Sequence, residues 1–309
     1  MKKIEVAPLI LTGLAMCAFA ANSLLCRAAL GAGQIDPASF TSLRLAAGAF
    51  TLWALLRIQG GGGQQGSWLG ALALFGYAVF FSLAYLHVNT GTGALVLFAS
   101  VQFSMIAYAA TRGDRLKGLR AIGAIVAATG LLVLLWPRLQ VPSTAWAVLS
   151  MALAGACWGV YSVVGKGSTR PLADTAGNFS RAALLMALIW LGVYLGAQAG
   201  FHVPGVTIER GLVLRSVYLP EPTALGVFLA IASGSLASGL GYAVWYKVLP
   251  VLPTTSAASV QLSVPVLAAL AGVFFLGEAL TLNLVLAMSM TLGGVYLVLR
   301  APNNLKTDT

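Results

Sequence analysis

The sequence predicts an all-α integral membrane protein with ten transmembrane helices, arranged as two inverted five-helix repeats. Composition, a series of long apolar windows and an internal similarity between two halves predict this fold class. Of the 309 residues, 59% are apolar and only 8% are charged. A soluble domain usually carries about 25% charged residues. The composition therefore argues against a soluble enzyme and against a nucleic-acid-binding protein.

Ten apolar windows are bounded by charged residues, glycine or proline. Each window is close to the roughly 20 residues that a helical span of the bilayer needs. The windows are 8–30, 37–57, 67–87, 93–111, 118–137, 143–165, 175–198, 223–246, 253–276 and 279–299.

The distribution of basic residues orients these spans. With the N-terminus in the cytoplasm, twelve of the 18 Lys and Arg residues lie in cytoplasmic segments and four lie outside. Cytoplasmic loops of membrane proteins carry such an excess of basic residues. Both termini are therefore predicted to be cytoplasmic. The remaining two basic residues, Arg44 and Arg181, lie within spans.

Two halves of the chain, residues 1–138 and 139–309, share short matches in the same order. Ala99–Phe103 aligns with Ala258–Leu262 as the strongest of them. Because five spans is an odd number, the second half enters the membrane from the opposite side. Inverted repeats of this kind recur in secondary transporters, where the substrate site lies near the midplane between the halves.

A family resemblance follows from three segments of the second half, Val264–Gly272, Phe275–Thr281 and Gly293–Val295. They resemble the closing stretch of an EamA repeat, the unit of the drug/metabolite transporter superfamily. The resemblance implies ten helices around a central cavity, with helices 1, 3, 4, 6, 8 and 9 lining it and helices 5 and 10 at the periphery. The regions of Gln102 and Asn89–Gly93 resemble the aromatic amino-acid exporter (YddG-type) branch, although no proline follows Gln102 as the repeat pattern requires.

Arg44 and Arg181 occupy matched positions in the two halves. An arginine at a helix centre costs about 2.5–3.5 kcal/mol on insertion scales. Each arginine could anchor a substrate carboxylate. The matched positions favour a scaffold role instead, in which each side chain binds helix-end carbonyls or snorkels to an interface. No Asp or Glu lies near a span centre, so no proton relay through carboxylates is predicted.

Four neutral polar residues form two repeat-related pairs, Gln102 with Gln261 and Asn22 with Ser162. Neutral polar side chains can bind the ends of a zwitterion without placing a permanent charge in the bilayer. They can equally form hydrogen bonds between helices, which contribute about 0.6 kcal/mol on average. Both interpretations stay open at this point.

Aromatic side chains recur at helical spacing on three spans and predict the walls of a cavity. They are Tyr77, Phe81 and Tyr85 on span 3, Tyr242 on span 8, and Trp158 and Tyr161 on span 6. Such rings suit a flat apolar side chain. The alternative is the aromatic belt at the membrane interface, which is favoured for Trp245 beside Lys247.

Pro265 interrupts span 9 and predicts a kink that could act as a gate. Gly234 and Gly239 make part of span 8 weak as a helix, which predicts a hinge or, with greater weight, a close-packing face.

These observations predict a secondary transporter that exports small metabolites, above all aromatic or neutral amino acids, across the bacterial inner membrane by alternating access. The alternative is efflux of apolar drugs or other metabolites with broad specificity. A membrane enzyme is disfavoured because the spans contain no paired carboxylates and no His/Asp set. The predicted partners are a small-molecule substrate and membrane lipids. No cofactor, metal, nucleic acid or obligatory oligomer is predicted.

Overall fold

The computed structural model describes residues 6–60, 62–111, 118–139, 142–165, 168–198, 206–209, 213–216, 221–248, 260–261 and 263–300. The two chain termini, whose side of the membrane was predicted above, lie outside these ranges.

Ten helices, counted over the described ranges, make up most of the fold. They are α1 (Val6–Gly31), α2 (Pro37–Ile58), α3 (Trp68–Ala84), α4 (Thr90–Thr111), α5 (Leu119–Leu139), α6 (Pro142–Gly165), α7 (Pro171–Gln198), α8 (Ala224–Ala232, continuing as a π-helix over Ser233–Leu240 and as an α-helix over Gly241–Val248), α9 (Ser263–Leu276) and α10 (Leu282–Arg300).

The helices have the length and apolar surface of a membrane protein. Within the described residues, five are long and apolar enough to cross a bilayer, and four further apolar helical stretches are shorter. Large apolar side chains face outward, such as Phe274 and Leu282, which are 79% and 73% exposed. Lipid is the environment that such side chains fit. The prediction of a multi-pass helical membrane protein is confirmed, while the exact number of spans stays a prediction.

A short hairpin departs from the predicted all-α fold. Strands β1 (Val206–Glu209) and β2 (Val213–Ser216) pair antiparallel, with Val206 opposite Ser216. Both segments are short and rich in β-branched or aliphatic residues, which fit a pleated strand. The hairpin lies in the connection between α7 and α8, outside the helical part of the molecule.

Three helices begin at side-chain caps that the sequence encodes directly. The Asp36 carboxylate accepts hydrogen bonds from two backbone N–H groups of α2, and Pro37 occupies the first position of that helix. Ser67 caps α3, and Thr223 caps α8. Such caps satisfy backbone donors that a helix start leaves unpaired. They fix where these three helices start.

The helices pack in a set of recurring pairs. α3 and α4 pack against α6, α8 and α9 pack against α1, and α2 packs against both α7 and α8. α5 and α10 pack mainly against each other, at the periphery as the resemblance implied. A Cβ atom at Gly294 of α10 would lie 2.4 Å from the backbone nitrogen of Ala127 in α5. Only glycine allows this close approach of two helices.

Candidate functional site

A small cavity lies where α1, α3, α4, α6 and α8 meet. The space that the centre of a water molecule can reach inside it is about 20 Å³. One water needs about 10–15 Å³ by the same measure. The walls must therefore move apart before a larger molecule enters. The wall residues are Phe19, Asn22, Ser23, Tyr77, Phe81, Leu97, Phe98, Trp158, Ala237 and Tyr242.

The aromatic stripes predicted on three helices meet at this cavity. The ring centre of Trp158 lies 4.9 Å from that of Tyr77 and 5.0 Å from that of Tyr242. Tyr77 in turn lies 5.2 Å from Phe81. These separations fall in the range that favours tilted or edge-to-face ring pairs. Trp158 of α6 therefore joins the aromatic faces of α3 and α8.

A buried polar network reaches the same wall. The Tyr77 hydroxyl oxygen accepts a hydrogen bond from Asn22 Nδ2 at 3.0 Å and another from Arg44 Nη2 at 3.0 Å. Ser233 Oγ donates to Asn22 Oδ1 at 2.7 Å. The network thus ties together α1, α2, α3 and the π-helical stretch of α8.

Arg44 is a buried cation at the edge of the site. It is 1% exposed. Its guanidinium carbon lies 5.0 Å from the ring centre of Tyr77 and 4.9 Å from that of Phe81, both wall residues. Its Nη1 atom is buried and has no hydrogen-bond partner among the described residues. The ion pair that the described residues form joins Arg27 to Glu278, so no described carboxylate compensates the charge of Arg44.

Arg181, the matched arginine, has different surroundings. Its Nη1 donates to the backbone oxygen of Gln65 at 2.6 Å, and its guanidinium stacks over Trp68 at 5.8 Å. It therefore holds the loop that precedes α3. Arg44 differs, because its hydrogen bond goes to a side chain at the cavity wall.

Of the polar residues predicted to bind substrate, Asn22 lines the cavity and three others lie outside its wall. Gln102 is buried within α4. Ser162 Oγ donates to the Trp158 carbonyl of its own helix at 2.8 Å. Gln261 is half-buried. Their predicted role in substrate binding stays a prediction.

Two predicted aromatic residues stand next to the wall rather than on it. Tyr85 is fully buried, with its ring 4.8 Å from Phe81 and its hydroxyl 3.4 Å from the Thr90 carbonyl oxygen. Tyr161 stacks 5.4 Å from Trp158, and its hydroxyl donates to Thr175 at 3.5 Å. Both therefore support the wall residues from behind.

The predicted gate and hinge residues lie in α8 and α9. Gly234 and Gly239 both fall inside the π-helical stretch of α8, which runs past the cavity. Short π-helical segments are rare and are frequent at functional sites. Pro265 is buried in α9, and residues 260–261 before this helix are also helical. Its action as a gate stays a prediction.

Several site residues escaped the sequence analysis. Phe19 lies three residues before Asn22 and four before Ser23 on α1, and this spacing could have identified Phe19 and Ser23 as neighbours on one face. Ser233 could not be found in that way, since its partner lies on another helix. The belt interpretation of Trp245 is wrong: it is 7% exposed and packs at 6.0 Å against Phe19.

Comparison with known proteins adds a family likeness. The model of the EamA-like transporter family matches residues 145–300. An uncharacterised protein of Pseudomonas aeruginosa is 46% identical over 94% of both chains. An uncharacterised transporter of Archaeoglobus fulgidus is 25% identical over 86% of this chain and 90% of its own length. A probable amino-acid metabolite efflux pump of Escherichia coli is 26% identical over 72% of this chain and 71% of its own length.

A solved crystal structure also resembles this chain in fold. It covers 95% of this chain and 97% of its own, with a TM-score of 0.61 and 20% sequence identity.

Proposed function

Because the chain belongs to the EamA-like transporter family, we propose that it exports small metabolites, aromatic or neutral amino acids above all, by alternating access through the cavity beside Trp158. The family consists of transporters, so the chain is a transporter rather than an enzyme. The proposal adds the substrate class, the direction of transport, the bacterial inner membrane and the route through the protein.

The observation that carries the proposal is a ring-lined cavity with a buried polar network at one edge. Tyr77, Trp158 and Tyr242 provide flat apolar faces. Asn22 and the hydroxyl of Tyr77 provide polar contacts at the same wall. An aromatic amino acid combines a flat apolar side chain with a polar head, and this cavity offers a surface for each part.

Alternating access is supported by the way that helix contacts recur in matched sets. Under the predicted repeat, α6 to α10 correspond to α1 to α5 in order. The contact between α3 and α6 then corresponds to the contact between α8 and α1. The contact between α4 and α6 likewise corresponds to the contact between α9 and α1. Two halves related in this way can adopt two similar arrangements that open toward opposite sides.

Two loop joints at the helix starts fit the same relation. The Gln65 nitrogen donates to the Ala173 carbonyl, which joins the start of α3 to α7. Thr223 donates through its backbone and its hydroxyl to Gln34, which joins the start of α8 to α2. Since α8 and α2 correspond to α3 and α7, the two joints occupy related positions at opposite ends of the bundle.

Export rather than uptake is proposed from the Escherichia coli relative, whose name describes an efflux pump. The aromatic preference is proposed from the rings of the wall and from the resemblance to the aromatic exporter branch. Efflux of apolar drugs is the competing function. It is favoured by the wall itself, in which eight of the ten residues are aromatic or aliphatic.

Transport by the purified protein in liposomes tests the proposal. We expect saturable efflux of labelled phenylalanine or tryptophan from loaded vesicles, absent from protein-free vesicles. Trp158→Ala should lower the rate at least tenfold, because it removes the ring that joins the two aromatic faces. Trp146→Ala is the matched control on the same helix, since Trp146 is 69% exposed and far from the wall residues in sequence.

Two results would contradict the proposal. Efflux of apolar dyes without efflux of any amino acid would favour the drug exporter. Equal loss of amino-acid efflux in both tryptophan variants would show that the ring-lined cavity is not the route.

A further inference from the structure

We infer that the substrate carries a carboxylate, which binds to the unpaired guanidinium nitrogen of Arg44 and to the hydroxyl of Tyr77. This inference rests on the proposed function and specifies its substrate class. It is carried by the charge of Arg44, by the hydrogen bonds that the network leaves unused, and by the contrast with Arg181.

The charge of Arg44 calls for an anion. Arginine stays protonated in proteins, and a buried charge without a partner is strongly unfavourable. Its guanidinium lies over the rings of Tyr77 and Phe81 and donates a hydrogen bond to the Tyr77 hydroxyl, and it forms no ion pair with a described carboxylate. Tyrosine is ordinarily neutral at pH 7. A bound anion would supply the negative charge that these residues do not.

The hydrogen-bonding capacity that Arg44 and Tyr77 themselves leave unused consists of donors. A tyrosine hydroxyl has one hydrogen and two lone pairs. In Tyr77 both lone pairs are taken, by Asn22 and by Arg44, so only its hydrogen remains to bind a ligand. Nη1 of Arg44 likewise has hydrogens and no acceptor among the described residues. A ligand that binds to these two groups must therefore bring acceptors, and the two oxygens of a carboxylate match two neighbouring donors.

An amine cannot take this position, because the positive charge of Arg44 repels it. Aromatic faces attract cations, so the ammonium of a bound amino acid would contact the rings of the wall rather than the guanidinium. The carboxylate, rather than the ammonium, is thus the group that this site requires.

The guanidinium of Arg44, where the carboxylate is inferred to bind, lies just behind the cavity wall. Its guanidinium lies over the rings of Tyr77 and Phe81, which line the cavity. The cavity is too small for an amino acid in this conformation. A carboxylate reaches Nη1 only if the opening that admits the substrate also exposes this nitrogen.

Binding of three phenyl compounds to the purified full-length chain tests the inference by calorimetry. Phenylalanine carries both charged groups, 3-phenylpropionate carries only the carboxylate, and phenethylamine carries only the ammonium. We expect phenylalanine and 3-phenylpropionate to bind at least tenfold more tightly than phenethylamine, since only they supply a partner for a buried cation.

Variants then assign the preference to the two donors. Arg44→Gln should weaken binding of both carboxylates at least tenfold while phenethylamine binding is unchanged or stronger. Tyr77→Phe keeps the ring and the arginine, and it should weaken the carboxylates by a smaller factor. If Arg44→Gln fails to fold, Tyr77→Phe provides the test of the carboxylate site. Arg181→Gln is the matched control, and it should leave the ranking of the three compounds unchanged.

The outcomes separate the inference from the proposed function. Equal binding of phenethylamine and 3-phenylpropionate to the native chain would overturn the inference, while export of phenylalanine could still stand. Unweakened binding of 3-phenylpropionate to Arg44→Gln, or to Tyr77→Phe where Arg44→Gln does not fold, would also overturn it. Failure of all three compounds to bind, together with absence of amino-acid efflux, would overturn both.

Discussion

Tyr77 is the residue at which the buried polar groups converge. Its oxygen receives hydrogen bonds from α1 and α2, and its ring forms part of the cavity wall. A movement of either helix would therefore shift Tyr77 and alter the cavity wall. Asn22 is fixed in turn by Ser233 of the π-helical stretch. A substrate that binds at the wall would thus act on α1, α2 and α8 through one side chain.

The hydrogen bond from Ser233 to Asn22 should contribute to the stability of the fold. Ser233→Ala leaves the buried Asn22 Oδ1 without a donor, which costs about 1–3 kcal/mol. We expect a lower melting temperature of the purified protein, measured by thermal denaturation in detergent. Ser289→Ala is the control, because Ser289 is exposed and bonds only to a carbonyl of its own helix. Equal melting temperatures for the Ser233 variant and the native protein would contradict the assigned network.

At the scale of elements, the contact between α2 and α8 is the tightest feature beside the site. A Cβ atom at Gly234 would lie 2.2 Å from the carbonyl oxygen of Arg44 and 3.0 Å from the Cβ of Ala47. Gly239 approaches Thr51 one turn further along α2. The π-helical stretch therefore presses its backbone against the helix that carries the buried arginine. Close packing, the favoured interpretation of these glycines, accounts for their presence.

Gly234→Ala should force α2 and α8 apart. Overpacking of this kind costs about 1–3 kcal/mol, so we expect a lower melting temperature and weaker substrate binding. Gly192→Ala is the matched control in α7, where nothing lies within 4 Å of the new Cβ. There alanine should be neutral or stabilising by up to about 1 kcal/mol, because it favours the helix. Similar effects of the two substitutions would contradict the close contact.

Neighbours on one helix face could be predicted from the sequence, whereas contacts between helices could not. The spacing of Tyr77 and Phe81 is a property of one helix, so periodicity identified them as neighbours on one face. The bond between Arg44 and Tyr77 joins two helices, and no local pattern orders that contact. Trp245 was misassigned for the same reason, because Phe19 on α1 covers it. The hairpin was missed since two four-residue strands give too short a pattern.

At the scale of the whole molecule, loop hydrogen bonds hold both ends of the bundle, and one end has an ion pair in addition. Backbone and side-chain hydrogen bonds join the start of α3 to α7, where the Gly66 nitrogen donates to Asp174. At the other end, the Glu278 carboxylate accepts from the Thr90 nitrogen at 2.8 Å and pairs with Arg27 Nε at 3.4 Å. Arg27 also donates to the carbonyl of Tyr85 at 2.9 Å. This ion pair connects α1, the start of α4 and the turn before α10, at the end predicted to face outside.

Alternating access requires that this end open in one state. Glu278→Gln removes the ion pair and weakens the hold on α4, so the closed arrangement of this end should become less populated. Cys26 reports on that change, because it is fully buried and adjacent to Arg27 on α1. In a Cys17→Ser, Cys157→Ser background, Glu278→Gln should raise the rate at which a maleimide labels Cys26 by about tenfold, as expected if a coupling of about 1.4 kcal/mol is lost.

Arg181→Gln is the control at the opposite end, because it loosens the joint between α3 and α7 without touching Glu278. In this variant the outer end should open no more often than in the background protein. Cys26 should therefore be labelled at the same slow rate. Phenylalanine at saturating concentration should change the rate in the background protein, since a transported substrate shifts the balance between the two arrangements. A labelling rate that responds neither to Glu278→Gln nor to substrate would show that this end does not open during transport.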